Sequence, residues 1–176
     1  MALCPAGGRA AVRKLFLRSG FGGPMAEGIV ERTLVLVKPD GVKRGVVGEI
    51  LARFERKGLK IVGAKLLLVP PELAARHYAE HAQKPFYPGL VQHITSGPVL
   101  ALALEGRSAI AVVRLMTGAT NPQTAAPGTI RGDFGLAVTP NLLHASDAPA
   151  TAERELALYF RPEELVAYAR SDQEFT

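Results

Sequence analysis

The sequence predicts an α+β fold: a four-stranded antiparallel sheet carrying helices, plus one long ordered loop. Three observations predict it. Apolar runs of strand length alternate with stretches of helical period, in the order strand, helix, strand, helices, strand, helix, loop, strand, helix. Breaker signals at Pro39-Asp40-Gly41, Gly58, Pro70-Pro71 and Gly118 separate them. A length of 176 residues with 48% hydrophobic content suits one domain around one core.

Taken in order, residues 1–24 are rich in Gly, Ala and Arg and read as an N-terminal extension outside the fold, leaving a domain at 25–176. Two accounts compete for the extension. Arg9–Arg18 is basic, acid-free and weakly amphipathic, as organelle transit segments are. Alternatively Met25 is the true start, the favoured account, because Met25-Ala-Glu-Gly looks like an ordinary beginning. Arg32–Lys38 is β-branched and apolar, a central strand, and ends at the turn signal Pro39-Asp40-Gly41. Lys38 therefore stands at a strand end, over a cleft or simply solvated. Val46–Lys57 places Val47, Ile50, Leu51 and Phe54 at helical spacing, with Gly58 as its stop. Lys60–Val69 is the second strand, closed by Pro70-Pro71.

Glu72–His81 reads as a short helix with Leu73, Tyr78 and His77 inward, and a second helical stretch runs from Pro85 to about Ile94. Phe86 there can stack on a base or merely pack. Gly97–Leu104 is the third strand; Ser108 caps a helix through Met116, ended by Gly118. Arg114 is that helix's only charge, so its plain alternative is a solvent-facing side chain. Gly118 to about Val138 shows no usable periodicity but holds Thr120, Arg131 and Asp133, a mixture suited to an ordered anion-binding loop. His144 lies on a short fourth strand, and Asp147 caps a helix with Pro149 in its first turn, Leu156 and Phe160 inward, and Glu155 about three turns in. A final turn, Pro162–Tyr168, leads to a polar tail. This is the βαββαβ, ferredoxin-like plan, with helices on one face of the sheet.

Composition excludes several classes. The net charge of +5 misleads, because Arg9, Arg13, Lys14 and Arg18 all fall in residues 1–26, which hold no acid, leaving the remainder near neutral. A basic face for nucleic acid is therefore not expected. The single cysteine, Cys4, excludes an internal disulfide and a Cys-based zinc site. No apolar run approaches the ~20 residues of a membrane span. There is no Gly-x-x-x-x-Gly-Lys-Ser/Thr, Gly-x-Gly-x-x-Gly or His-Glu-x-x-His motif. His77 and His81 form a His-x-x-x-His pair without a third ligand at sensible spacing, so no resident metal is expected.

What remains is Lys38, Arg114, Thr120 and Arg131 as phosphate partners and His144 as a nucleophile, against the plainer reading of a packed core histidine. The chemistry is coherent. Phosphoryl transfer concentrates charge on oxygens, so positioned cations do most of the work. An imidazole can carry a phosphoryl group near neutral pH if its other nitrogen is held by a partner. Glu155 is a candidate holder, although by its residue type alone it reads as an exposed helix acid.

Six stretches in this order resemble the nucleoside diphosphate kinase family: Glu31-Arg-Thr-Leu-Val-Leu-Val-Lys-Pro-Asp-Gly41, Arg53-Phe-Glu-Arg-Lys-Gly58, Lys84-Pro-Phe-Tyr-Pro-Gly-Leu90, Gly118-Ala-Thr-Asn-Pro122, Ala126-Pro-Gly-Thr-Ile-Arg-Gly-Asp-Phe134 and Asn141-Leu-Leu-His-Ala-Ser-Asp147. The resemblance spans about Glu31 to Tyr168. It implies an enzyme that moves the γ-phosphate of a nucleoside triphosphate, chiefly ATP, to nucleoside diphosphates by a ping-pong route through His144, maintaining NTP and dNTP pools. It implies that Glu155 and Ser146 orient His144. Lys38, Tyr78, Arg114, Thr120 and Arg131 would contact phosphates, with Lys38 and Asn141 also reaching the sugar. Phe86 and Val138 would clamp the base, with Leu90 nearby. Mg2+ would arrive on the phosphates rather than in a protein cage. The resemblance further implies a cytoplasmic homo-oligomer, tetramer or hexamer, with the Pro122 loop at subunit contacts in hexamers. A mitochondrial location would follow if residues 1–24 are a transit segment. One departure is Ala145, where the family commonly has Gly; its methyl is tolerable only if φ is not positive. Two rivals are carried. One is a catalytically silent relative acting as an assembly or membrane-surface partner. The other is a single-stranded RNA-binding module, which would need paired aromatics on a central strand.

Overall fold

The computed structural model describes residues 30–171, so the expected extension at 1–24 lies outside the described residues. Four strands form one antiparallel sheet in the order β2-β3-β1-β4. They are β1 (Val30–Val37), β2 (Lys60–Leu68), β3 (Pro98–Arg107) and β4 (Leu143–Ala145). The helices are α1 (Pro39–Lys43), α2 (Val47–Arg56), α3 (Pro71–His77), α4 (Tyr87–Thr95), α5 (Ala109–Thr117), α6 (Ile130–Phe134) and α7 (Pro149–Tyr159). The order and the antiparallel sheet match the βαββαβ expectation.

The helices do not share one face, which corrects that expectation. Successive strand residues point to opposite faces, and β1 is apolar at every position from Leu34 to Val37, all fully buried. Leu34 and Leu36 join a core with Tyr78, Ile94, Leu156 and Phe160, under α3, α4 and α7. Val35 and Val37 join a second with Ile50, Phe54, Val113 and Ile130, under α2, α5 and α6. A strand apolar on both sides requires cover on both sides.

Local corrections follow the same logic. Pro39-Asp40-Gly41 does not turn but opens α1, with Pro at the first helical position, where its missing N–H costs nothing. Ser108 does not cap α5: it sits at φ 47° with no side-chain cap bond, and the Glu31 carboxylate instead accepts from the Ile110 amide at 3.2 Å. Asp147 does not cap α7, whose N-cap position is Ala148; Glu155 lies within the first two turns of that helix. The stretch after Gly118 is not structureless. It contains a 3-10 turn at Pro122–Thr124 and α6, whose N-cap Thr129 accepts from the Gly132 amide. A helix of five residues is too short to show periodicity.

β4 pairs with β1 so that His144 lies opposite Leu36. Cross-strand partners share a face, so the His144 side chain emerges between α3 and α7. Ala145 belongs to β4 and is not among the residues of positive φ, so its methyl adds no backbone strain.

Candidate active site

The segment before His144 is clamped from β1 and α1. The Lys38 amide donates to Leu142 O at 2.8 Å, and Asp40 Oδ2 accepts from the Leu142 amide at 2.9 Å. Asp40 Oδ1 pairs with His93 Nε2 at 3.0 Å. These bonds hold Leu142 at φ 71°, a conformation that costs a non-glycine residue roughly 1–3 kcal/mol and persists only where surroundings over-determine it.

His144 Nε2 is 2.8 Å from Glu155 Oε2, and Ser146 Oγ donates to the same oxygen at 2.6 Å. Glu155 is not the exposed helix acid its residue type suggested; it is 1% exposed. Burial pushes its carboxyl up, but the bonds from His144 and Ser146 and the charge of His144 outweigh this and hold it below the ordinary value. An ionised carboxylate can only accept, so His144 donates from Nε2; in the neutral ring it is then Nδ1 that carries the lone pair. The side chain is about one quarter exposed, at 24%, to a cleft of about 360 Å3, within the usual range for small-molecule sites.

Cations converge on that cleft. Lys38 is buried rather than solvated and donates to Asn141 Oδ1 at 2.7 Å; Asn141 Nδ2 donates to Thr120 O at 3.0 Å. Burial and the charge of Arg131 lower the Lys38 ammonium to about 8, against the opposing pull of Asp40. Arg131 is also buried and donates to Asn141 O (3.2 Å), Gly118 O (3.0 Å) and Leu143 O (2.7 Å). Burial, then the nearby charge of Arg114, lowers it to about 10. Arg114 is exposed and faces the cleft.

Lys38, Tyr78, Phe86, Leu90, Arg114, Thr120, Arg131, Asn141, His144 and Glu155 all line this one cleft. Ser146 stands behind it, fully buried against Glu155. Val138 does not line it and is 53% exposed. The residue reading missed His77, His81, Asp147 and Thr151 on the same wall. Inward spacing pointed to His77, but only tertiary structure sets its ring 4.5 Å from that of His144.

No metal cage suits the hard cation expected here. Among the described residues, His77, His144 and Glu155 bring ligand atoms within 4.8 Å of one another. Two nitrogens and one carboxylate are a borderline-soft set, not the all-oxygen shell that Mg2+ prefers. His81 is not part of that group, so the His-x-x-x-His pair does not act together.

The carboxylates make an acid-stability prediction. Burial raises Asp40, but bonds from His93 and from the Leu142 amide, with the His93 charge, leave it below its ordinary 3.8; Glu155 lies below its ordinary 4.5. A depressed folded-state value gives stability that is full above the unfolded value and is lost as pH falls through the folded one. Calorimetry should therefore show Tm dropping as pH falls below 4.5. Asp40→Asn should start lower at neutral pH and lose less across that window.

A family model described as nucleoside diphosphate kinase matches residues 31–165. A nucleoside diphosphate kinase of Archaeoglobus fulgidus is 58% identical over 146 residues, 83% of this chain and 97% of that one. The structure of a halophilic nucleoside diphosphate kinase from Halobacterium salinarum in complex with CDP aligns with a TM-score of 0.81 and 53% identity, covering 82% of this chain and 97% of that one. A transition state mimic of the Borrelia burgdorferi enzyme, with vanadate and ADP bound, aligns with a TM-score of 0.77 and 40% identity, covering 82% and 95%. With identity this high over nearly the whole length of each relative, the chain belongs to the nucleoside diphosphate kinase family.

Proposed function

We propose that this nucleoside diphosphate kinase transfers the γ-phosphate of a nucleoside triphosphate, chiefly ATP, to nucleoside diphosphates through a phosphohistidine on His144 Nδ1. The observation that carries the reading is an imidazole pinned by a buried carboxylate at one nitrogen and open at the other to a cleft holding Lys38, Arg114 and Arg131. In the first half-reaction the Nδ1 lone pair forms a bond to the γ-phosphorus. The bond from that phosphorus to the bridging oxygen breaks, and the nucleoside diphosphate leaves with the electron pair. In the second, a terminal oxygen of another nucleoside diphosphate attacks the phosphohistidine and the N–P bond breaks. Positive charge arising on the ring faces Glu155, and charge on the phosphate oxygens faces the cations.

The roles follow position. Lys38, Tyr78, Arg114, Thr120 and Arg131 contact phosphates; Lys38 and Asn141 reach the sugar; Ser146 and Glu155 orient the ring. Phe86, 54% exposed on the cleft wall, offers a face to the base without hydrogen-bonding its edges, which suits broad base tolerance. Val138, away from the wall, is the weakest member of the set. The silent-relative reading is not favoured, because the residues assigned as nucleophile, holder and cations all line one cleft. Mg2+ comes bound to phosphate oxygens, whose charge it offsets; the carboxylates on the cleft wall besides Glu155 are Glu80 and Asp147.

We further propose a domain at residues 25–176, with 1–24 as an extension; the family match covers 31–165 of it. We propose a homo-oligomer, tetramer or hexamer. β2 is an edge strand and turns Leu66 (63% exposed) and Leu68 (72%) outward, an apolar edge that natural proteins rarely leave bare. Pro122 is buried in its own chain, so contacts by that loop fall to exposed neighbours such as Gln123. No helix among the described residues is long and apolar enough to cross a membrane, and we propose a cytoplasmic location.

The test is a single turnover with γ-labelled ATP. The protein should take up acid-labile, base-stable label and discharge it onto added nucleoside diphosphate. EDTA should suppress labelling, and Mg2+ should restore it. Failure to label with Mg2+ present would refute the reading.

A further inference from the structure

The ring of His77 is 1% exposed, and neither of its nitrogens has a hydrogen-bond partner among the described residues. A buried polar group left unpaired costs roughly 1–3 kcal/mol and calls for an explanation. A phenylalanine would fill similar space without that penalty. The ring is held edge-on by Tyr78 (4.6 Å, 71°), His144 (4.5 Å, 81°) and Tyr159 (5.5 Å, 85°). It therefore has one fixed orientation, buried beside Glu155 in the wall of the cleft.

The two Glu155 oxygens are used unequally. Oε2 takes both strong bonds, from His144 and Ser146. The ionisable neighbours of Oε1 among the described residues stand farther off, His77 Nδ1 at 3.9 Å and Arg154 Nη2 at 3.7 Å. Burial, then the charge of His144, pushes the His77 imidazolium down to about 3, so the ring is neutral and carries one N–H. The nearest anionic acceptor is Oε1, which favours that proton on Nδ1. At 3.9 Å this is an approach rather than a bond, and a shift of about 1 Å would make it one.

We propose that His77 is a positioning residue for phosphoryl transfer: its Nδ1–H steadies the Oε1 side of Glu155 so that Oε2 stays on His144 throughout the cycle. The proposal rests on the reading of His144 as nucleophile and Glu155 as its holder. A neutral donor suits the place. It orients the carboxylate without neutralising it, so the full negative charge remains for the imidazolium character that develops on His144. A cation there would compete for that charge, and an apolar ring would let the carboxylate rotate.

The test compares three variants of the full chain. His77→Phe should lower kcat about tenfold with KM for both nucleotides nearly unchanged and Tm no lower than wild type. His77→Asn, whose amide nitrogen can occupy the Nδ1 place, should recover most of that loss. His77→Gln sets its nitrogen nearer the Nε2 place and should recover less; it supplies the same contrast with Asn if Phe disturbs folding. In 15N spectra His144 should keep its Nε2–H form in the Asn variant and lose that single form in the Phe variant. An unchanged kcat in His77→Phe, or equal losses in all three that track Tm, would overturn the proposal. His144→Ala separates the levels. Label lost there while His77→Phe turns over normally removes only the His77 role; label retained in His144→Ala removes the reading beneath it.

Discussion

His144→Ala is expected to abolish the acid-labile label and to lower turnover by at least about ten-thousand-fold, the scale of losing a covalent nucleophile. The cleft offers no substitute. His77 is sealed, and His81 Nδ1 lies 3.0 Å from Lys84 Nζ, a cation that competes with any electrophile for its lone pair. The alanine side chain cannot reach the position of Nδ1, and water entering the gap would not produce a labelled protein. Nucleotide affinity should change little, because Lys38, Arg114 and Arg131 are untouched. Glu155→Gln should give a smaller loss, about ten- to a hundredfold in kcat. It keeps the shape but removes the charge that makes the His144 bond strong, worth roughly 1.5–3 kcal/mol. Rapid-quench labelling of all three proteins checks the ranking, and label persisting in His144→Ala would move the nucleophile, with His81 the next residue to examine.

The parts of the molecule legible beforehand share one property: their signal is local. β1 is written in a continuous apolar run, and α2 in the spacing of Ile50 and Phe54, both fully buried. The Asn141–Asp147 stretch carries its own chemistry. What could not be read depends on distant partners. Glu31 caps α5 across 79 positions, so Ser108 was the only local candidate. Glu155 looks like an exposed helix acid until β4 places His144 and Ser146 beside it. His77 has an inward spacing, yet its neighbours lie on β4 and α7, and no periodicity reports that. Cover on both sheet faces is legible in β1, where Leu34 to Val37 never alternates with polar residues, whereas a ferredoxin-like plan by itself implies helices on one face only.

Arg131→Met should cost both stability and activity, and the two losses should separate. The guanidinium bonds three carbonyls from two segments, Gly118 on one side and Asn141 and Leu143 on the other. It thus ties the loop after α5 to the strand that carries His144. Methionine fills much of the volume but leaves those acceptors unmatched, at roughly 3–5 kcal/mol in all, or about a 10 °C fall in Tm for a domain of this size. Arg131→Lys should recover little of that, because one ammonium cannot reproduce the fork. The activity loss has a different origin. Three of the five guanidinium donors are spent on carbonyls, leaving the charge and the remaining donors to act in the cleft. Assayed well below its lowered Tm, the Met variant should still lose at least about a hundredfold in kcat/KM. Arg114→Met is the control. The Arg114 side chain is exposed and makes no hydrogen bond or ion pair among the described residues, so its loss should weaken nucleotide binding about tenfold and leave Tm where it was. If the Arg131 and Arg114 variants proved equally stable, the carbonyl clamp would not be what holds β4 in place.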